Sequence, residues 1–214
     1  MGERLIYITI MEYIFLIAIL IFSVVIHEVS HGAVANYLGD PTAKYAGRLT
    51  LNPIRHLDPV GSVLVPLFLV LMGSPFLIGW AKPVPVNPYN FKDQKYGSAK
   101  VALAGPGSNL AVALIFGLTL RFFPEIAVTP GLVLIFSYIV FINILLAIFN
   151  LLPIPPLDGS HILFTFLPPE LEKLKIFLSQ FGIFILFFLF FFLFRYLSLI
   201  ISFIFKLIVG APFF

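Results

Sequence analysis

The segment His27-Glu28-Val29-Ser30-His31 carries the strongest chemical signature in the sequence. On a helix, positions i and i+4 share a face, so both imidazoles can reach one metal ion. The Glu28 carboxylate, beside the first histidine, is then directed at a water on that metal. A bound zinc lowers the pKa of such a water to about 7, and a neighbouring glutamate can take its proton. With four histidines and six glutamates in 214 residues, this spacing is expected roughly 0.002 times by chance. The plain alternative is a pair of satisfied histidines on an ordinary helix. Against it, the motif follows about twenty apolar residues, a depth at which ionisable groups are costly and usually functional.

A catalytic zinc site needs a third protein ligand and one open position. The candidates are Asp158, His161, His56, Asp58, Glu125, Glu170 and Glu172. Glu170 and Glu172 share a polar stretch with Lys173 and Lys175 and read as solvated surface. Glu125 lies in a short loop between apolar runs and reads the same way. His56 and Asp58 fall in Asn52-Pro53…His56-Leu57-Asp58-Pro59, a pattern that turn chemistry alone accounts for. Asp158 differs. It follows Pro153-Ile154-Pro155-Pro156-Leu157 at the end of an uncharged run, where the prolines force the chain out of helix. Irregular backbone is tolerated in a membrane only where it is buried in protein or lines a wet cavity. Gly159 then lets the backbone pass close to the site. His161, three residues on, would lie on a neighbouring helix face and stays open as a ligand or partner.

The elements that must hold these groups follow from composition. The chain is 60% hydrophobic and 11% charged, with no cysteine. A soluble domain carries about 25% charge, so the sequence reads as a multi-span membrane protein, not a nucleic-acid binder or a disulfide scaffold. Apolar runs occupy Leu5 to Ile26 (continuing to about Leu38), Val60 to Trp80, Val101 to Leu120 and Leu132 to Leu152. A fifth runs from about Ile176 to Phe194 and resumes after Arg195 to Val209. The expected fold is all-α and polytopic, with five to six transmembrane helices. The first run is too long for a cleavable signal peptide and is expected to stay in the mature protein. Alternation over Tyr45 to Leu51 suits a short β-ribbon at the membrane surface. Pro83, Pro85 and Pro88 favour an extended path through 81–97, and 153–159 is a further Pro-rich break. With five spans, Lys and Arg divide seven against six between the two sides, so charge bias does not orient the chain. Glu12 and Arg195, inside apolar runs, read as snorkelling or paired side chains. The small residues of Gly105-Pro106-Gly107-Ser108-Asn109 suit close helix approach. The Phe-rich run from Phe177 to Phe194 reads as lipid-facing bulk.

Three segments together resemble the site-2 protease family of intramembrane zinc metalloproteases. They are His27-Glu28-x-x-His31, Gly105-Pro106-Gly107-Ser108-Asn109, and Asn150-Leu151-Leu152-Pro153-Ile154-Pro155-Pro156-Leu157-Asp158-Gly159. Asn52-Pro53 to Gly61 and Trp80-Ala81-Lys82-Pro83-Val84-Pro85-Val86-Asn87-Pro88 also resemble the compact branch that lacks a PDZ domain. The resemblance covers roughly residues 15–167.

It implies a single membrane-embedded protease domain over 1–214, with a core at about 15–167 and a Phe-rich transmembrane region at about 174–214. His27, His31 and Asp158 would hold one zinc per chain, and Glu28 would be general base and acid. Asn150 would sit near the scissile carbonyl, a role its amide suits. Asn109 and Asn143 are weaker candidates, equally readable as asparagines bonding between helices. The implied activity is endoproteolysis of transmembrane or membrane-tethered proteins in regulated intramembrane proteolysis, in the cell membrane. A catalytically silent membrane protein that binds zinc or a client helix is the alternative, and a transporter is a more distant one. The intact Glu28 argues against silence, because binding alone needs no base.

Overall fold

In the computed structural model, residues 2–72, 79–123, 125 and 129–213 are described, and most are helical. The helices are α1 (Gly2–Tyr37), the single turn α2 (Thr42–Tyr45), α3 (Val65–Leu71), α4 (Gly97–Phe122), α5 (Pro130–Asn150), α6 (Asp158–Phe166) and α7 (Glu172–Val209). Among the described residues, three stretches are long and apolar enough to cross a bilayer: Ile14–Tyr37, Gly97–Phe122 and Pro130–Asn150. At about 1.5 Å per residue the shortest of them, 21 residues, reaches about 32 Å, enough for a hydrocarbon core of about 30 Å.

α4 is central and packs against α1, α5, α6 and α7. Its buried face is small: Ala99, Ala102, Gly105, Asn109, Ala113 and Gly117 recur at helical spacing, which lets neighbouring backbones come close. Ala113, Val140, Ile144, Leu197, Ile201, Phe205 and Ile208 join α4, α5 and α7 in one buried cluster. Arg121 donates to the Leu207 carbonyl at 2.8 Å, a cation set against the unpaired carbonyls of a helix C-terminus. The chain on either side of Arg195 forms one continuous helix, so no separate sixth element follows it. Phe177, Phe181, Phe184, Phe187, Phe188 and Phe192 of that helix are exposed, as side chains that face lipid would be.

The second apolar run departs from the expectation of a simple span. Asp58 caps its start, accepting from the Val60 and Gly61 amides at 3.0 and 2.7 Å. The chain passes through α3, and residues 73–78 of the run lie outside the described residues. At its end, Trp80 donates its amide to the Gly61 carbonyl at 3.2 Å, and Ser62 Oγ donates to the Trp80 carbonyl at 2.8 Å. Lys82 N–H donates to the His56 carbonyl at 2.9 Å, and Leu57 pairs with Ala81 in an antiparallel bridge. The two ends of the run lie side by side, so they do not separate as the ends of a simple span would. Apolar length reports what a segment can be buried in, not whether its ends separate.

The expected ribbon over Tyr45 to Leu51 does not form, and no strand occurs among the described residues. Thr42–Tyr45 closes a helical turn instead, and Gly47 at φ +65° reverses the chain. Leu49 packs on α1 at Gly32, where a β-carbon would lie 2.7 Å from Leu49 Cδ2 and 2.9 Å from Val84 Cγ1. Gly32 thus lets the loop layer close onto the helix next to His31. The Pro-rich segment takes no regular element over 82–87, and Asn87 at its end is extended.

Asp40 ties this layer together. It is fully buried and accepts from Asn87 N–H at 2.6 Å, Asn90 Nδ2 at 2.8 Å, Thr42 N–H at 3.2 Å and the Thr42 hydroxyl. Burial raises its pKa, but these donors outweigh it and hold the carboxyl below the ordinary value. A depressed folded-state pKa contributes stability above the unfolded value, and that contribution is lost as pH falls through the folded one. Melting temperature should therefore fall in acid, below the ordinary carboxylate range. Asp40→Ala should cost roughly 2–3 kcal/mol at neutral pH and blunt that acid dependence in the same melts.

Candidate metal centre

His27 and His31 share one face of α1 and are 6% and 9% exposed. Asp158, the first residue of α6, brings Oδ2 to 3.1 Å from His27 Nε2 and 3.3 Å from His31 Nε2. The two Nε2 atoms are 3.0 Å apart. The other ring nitrogens define the tautomers. His31 Nδ1 lies 2.7 Å from the Val101 carbonyl, which can only accept. His27 Nδ1 lies 2.6 Å from Asn109 Oδ1. Asn109 cannot be turned the other way, because its Nδ2 donates to the Ser23 carbonyl at 3.2 Å and to Asn143 Oδ1 at 2.8 Å. Both Nδ1 atoms therefore carry the hydrogen, and both Nε2 atoms present lone pairs.

Three lone-pair atoms thus face one another, and Asp158 Oδ2 is buried with no hydrogen-bond donor. Without a cation among them the arrangement is repulsive. Tetrahedral zinc at about 2.0–2.1 Å from N and O ligands separates those ligands by about 3.3 Å. The separations here are 3.0–3.3 Å. The donor set, its tautomers and its spacing fit a divalent metal.

Two glycines make the approach of α4 and α6 possible. A β-carbon on Gly105 would collide with His27 and His31 at their Nε2 atoms. A β-carbon on Gly159 would collide with the Leu151 and Leu152 carbonyls at the end of α5. The turn 151–157 between α5 and α6, with its cis Pro155–Pro156 bond, thereby delivers Asp158 to α1.

Asn109 does more than bridge helices. It orients His27, and Asn143 continues the chain of bonds to Ser23 Oγ at 2.9 Å, so α1, α4 and α5 jointly fix one ligand. The interhelical reading of both asparagines and a supporting role at the site are the same fact. Partners of this kind are worth 10–100-fold in metal affinity. Asn109→Leu should weaken zinc binding by about that factor in a competitive chelator titration.

Glu28, half-buried, accepts the Val84 N–H on Oε2 at 2.8 Å. Asn150 ends α5 and donates one amide hydrogen to the Leu146 carbonyl at 2.9 Å. It is not among the residues that converge on the histidines. His161 is exposed, and His56 is buried with Nε2 on the Thr50 carbonyl at 2.8 Å. Among the described residues only His27, His31 and Asp158 gather as a metal-capable group. Asp58 is a cap, and Glu125, Glu170 and Glu172 are exposed. Gly105 is the site's contributor that residue type did not flag as chemistry. The collision at Gly105 could be read only as a small-residue motif.

The model of peptidase family M50 matches residues 125–189, which include Asp158. A Bacillus subtilis (strain 168) protein named "Putative zinc metalloprotease YwhC" is 40% identical over 191 residues, covering 86% of this chain and 83% of that protein. The chain belongs to peptidase family M50. As an M50 member it is a metalloprotease. A second M50 relative, "Putative zinc metalloprotease Rip2" of Mycolicibacterium smegmatis, is 32% identical over 175 residues, 81% of this chain and 65% of that one. A Methanocaldococcus jannaschii protein, "Putative zinc metalloprotease MJ0611", is 35% identical over 109 residues, 48% of this chain and 50% of its own. No solved structure matches the chain significantly.

Proposed function

We propose that this M50 member is a membrane-embedded zinc endopeptidase. It acts on transmembrane or membrane-tethered proteins in regulated intramembrane proteolysis, as a single domain over 1–214 in the cell membrane. The observation that carries this reading is the convergence of lone pairs from buried His27 and His31 and partly buried Asp158, next to Glu28 in the chain. Zinc held by those three residues would supply an acidified water and polarise the scissile carbonyl. Glu28, anchored through Oε2 by Val84, keeps Oε1 free to take the water's proton and pass it to the leaving amine. Asn150 retains a second amide hydrogen that can donate to substrate or oxyanion.

The test compares wild type with Glu28→Gln in detergent, measuring zinc per chain and cleavage of a transmembrane reporter. Glu28→Gln should keep its zinc and lose cleavage by about 10²–10⁴-fold, the range of a lost acid–base group. Undiminished cleavage would refute Glu28 as the base. A wild type that binds zinc and cleaves nothing would support the silent binding reading instead.

A further inference from the structure

Arg48 is 7% exposed, and among the described residues no carboxylate pairs with it. A buried, unpaired cation is costly unless something else satisfies it. Its Nη2 donates to the Lys82 carbonyl at 2.5 Å and to the Pro83 carbonyl at 3.4 Å. The Pro83 carbonyl and the Val84 N–H belong to one peptide group. Its amide end donates to Glu28 Oε2 at 2.8 Å. One peptide therefore lies between a guanidinium at its oxygen and a carboxylate at its hydrogen. That orientation polarises the peptide along its own dipole and strengthens both bonds. Flanking contacts hold the segment: Lys82 N–H bonds the His56 carbonyl at 2.9 Å, and Val84 is buried against α1 beside Gly32. Pro83 and Pro85 favour extended backbone in the residues before them.

We infer that Arg48 is a positioning residue for the reaction, setting the Glu28 carboxylate through the Pro83–Val84 peptide. The inference rests on the assignment of Glu28 as base. Arg48 touches neither the metal ligands nor the reacting atoms in this scheme. It aims the free oxygen of Glu28, and misplacing a reacting group by about 1 Å can cost 10²-fold.

The experiment measures kcat, KM and zinc content of the full chain in detergent, with a transmembrane reporter as substrate. Arg48→Ala should keep its zinc, hold KM within about twofold and lower kcat about 10–100-fold. Both Arg48 contacts come from one nitrogen, so Arg48→Lys should recover most of the loss. Val84→Pro deletes the amide hydrogen at a position already flanked by prolines, and should reproduce the kcat defect with zinc retained. Combining Arg48→Ala with Glu28→Gln should cost nothing beyond Glu28→Gln alone. If Glu28→Gln is inactive while Arg48→Ala and Val84→Pro turn over at the native kcat, the inference is overturned and Glu28 as base survives. A further loss in the double variant, or a defect confined to KM, also overturns it. If Arg48→Ala loses zinc through misfolding, Val84→Pro and Arg48→Lys decide on the same readouts. An active Glu28→Gln defeats the base assignment itself.

Discussion

Gly105→Ala should lose at least about 100-fold in zinc affinity and a similar factor in cleavage. Gly107→Ala, two residues away, should keep both. The same methyl group is added to the same helix in each case. At Gly105 it would collide with the His27 and His31 imidazoles at their Nε2 atoms; at Gly107 nothing lies within 4 Å. Alanine is the better helix former by about 1 kcal/mol, so Gly107→Ala should melt no lower than the native chain. Zinc content after purification and melting in detergent check both. Equal zinc in the two variants would mean that α4 does not close on the histidines as described.

Asp158→Ala should weaken zinc binding by roughly 10²–10³-fold while leaving the fold intact. Zinc sites in small peptides bind with about 10–16 kcal/mol shared over four ligands, so one ligand is worth about 2.5–4 kcal/mol. The loss should be read in a chelator competition beside Glu28→Gln, which keeps all three donors. The pairing matters because both variants are expected to be inactive for different reasons: one lacks the metal, the other the base. Zinc affinity unchanged in Asp158→Ala would remove Asp158 from the ligand set.

Much of the site was legible because its chemistry is local. His27 and His31 share a face by helical arithmetic, and a lone carboxylate after a proline break was suspect on electrostatic grounds. His161 was left open by the same arithmetic, and it is exposed; helix phase defines neighbouring faces but not which one the partner helix covers. Asn109 could not be separated from an ordinary interhelical asparagine, since its function depends on Ser23 and Asn143 lying within reach, 86 and 34 residues away. Arg48 was invisible for a similar reason: a cation in a loop is normally solvated, and only burial against 82–84 makes it unusual. The helical character of the long runs followed from hydropathy. The fate of Val60 to Trp80 did not, because it is set by a handful of backbone bonds at its ends.

That returning run changes how the thirteen basic residues are distributed. With its two ends side by side, Lys44, Arg48 and Arg55 join Lys82, Lys92, Lys95, Lys100, Lys173 and Lys175 at the end of the molecule where α1 finishes and α4, α6 and α7 begin. Arg4, Arg121 and Lys206 lie toward the other end, and Arg195 lies within α7. The seven-to-six tie becomes nine against three, a bias that the positive-inside rule assigns to the cytoplasm. The end whose charges govern insertion is also the end that holds His31, Asp158 and Glu28. Charge bias and the proposed hydrolytic centre thus fall in one region of the chain, and a copy inserted upside down would carry that centre to the opposite face of the membrane.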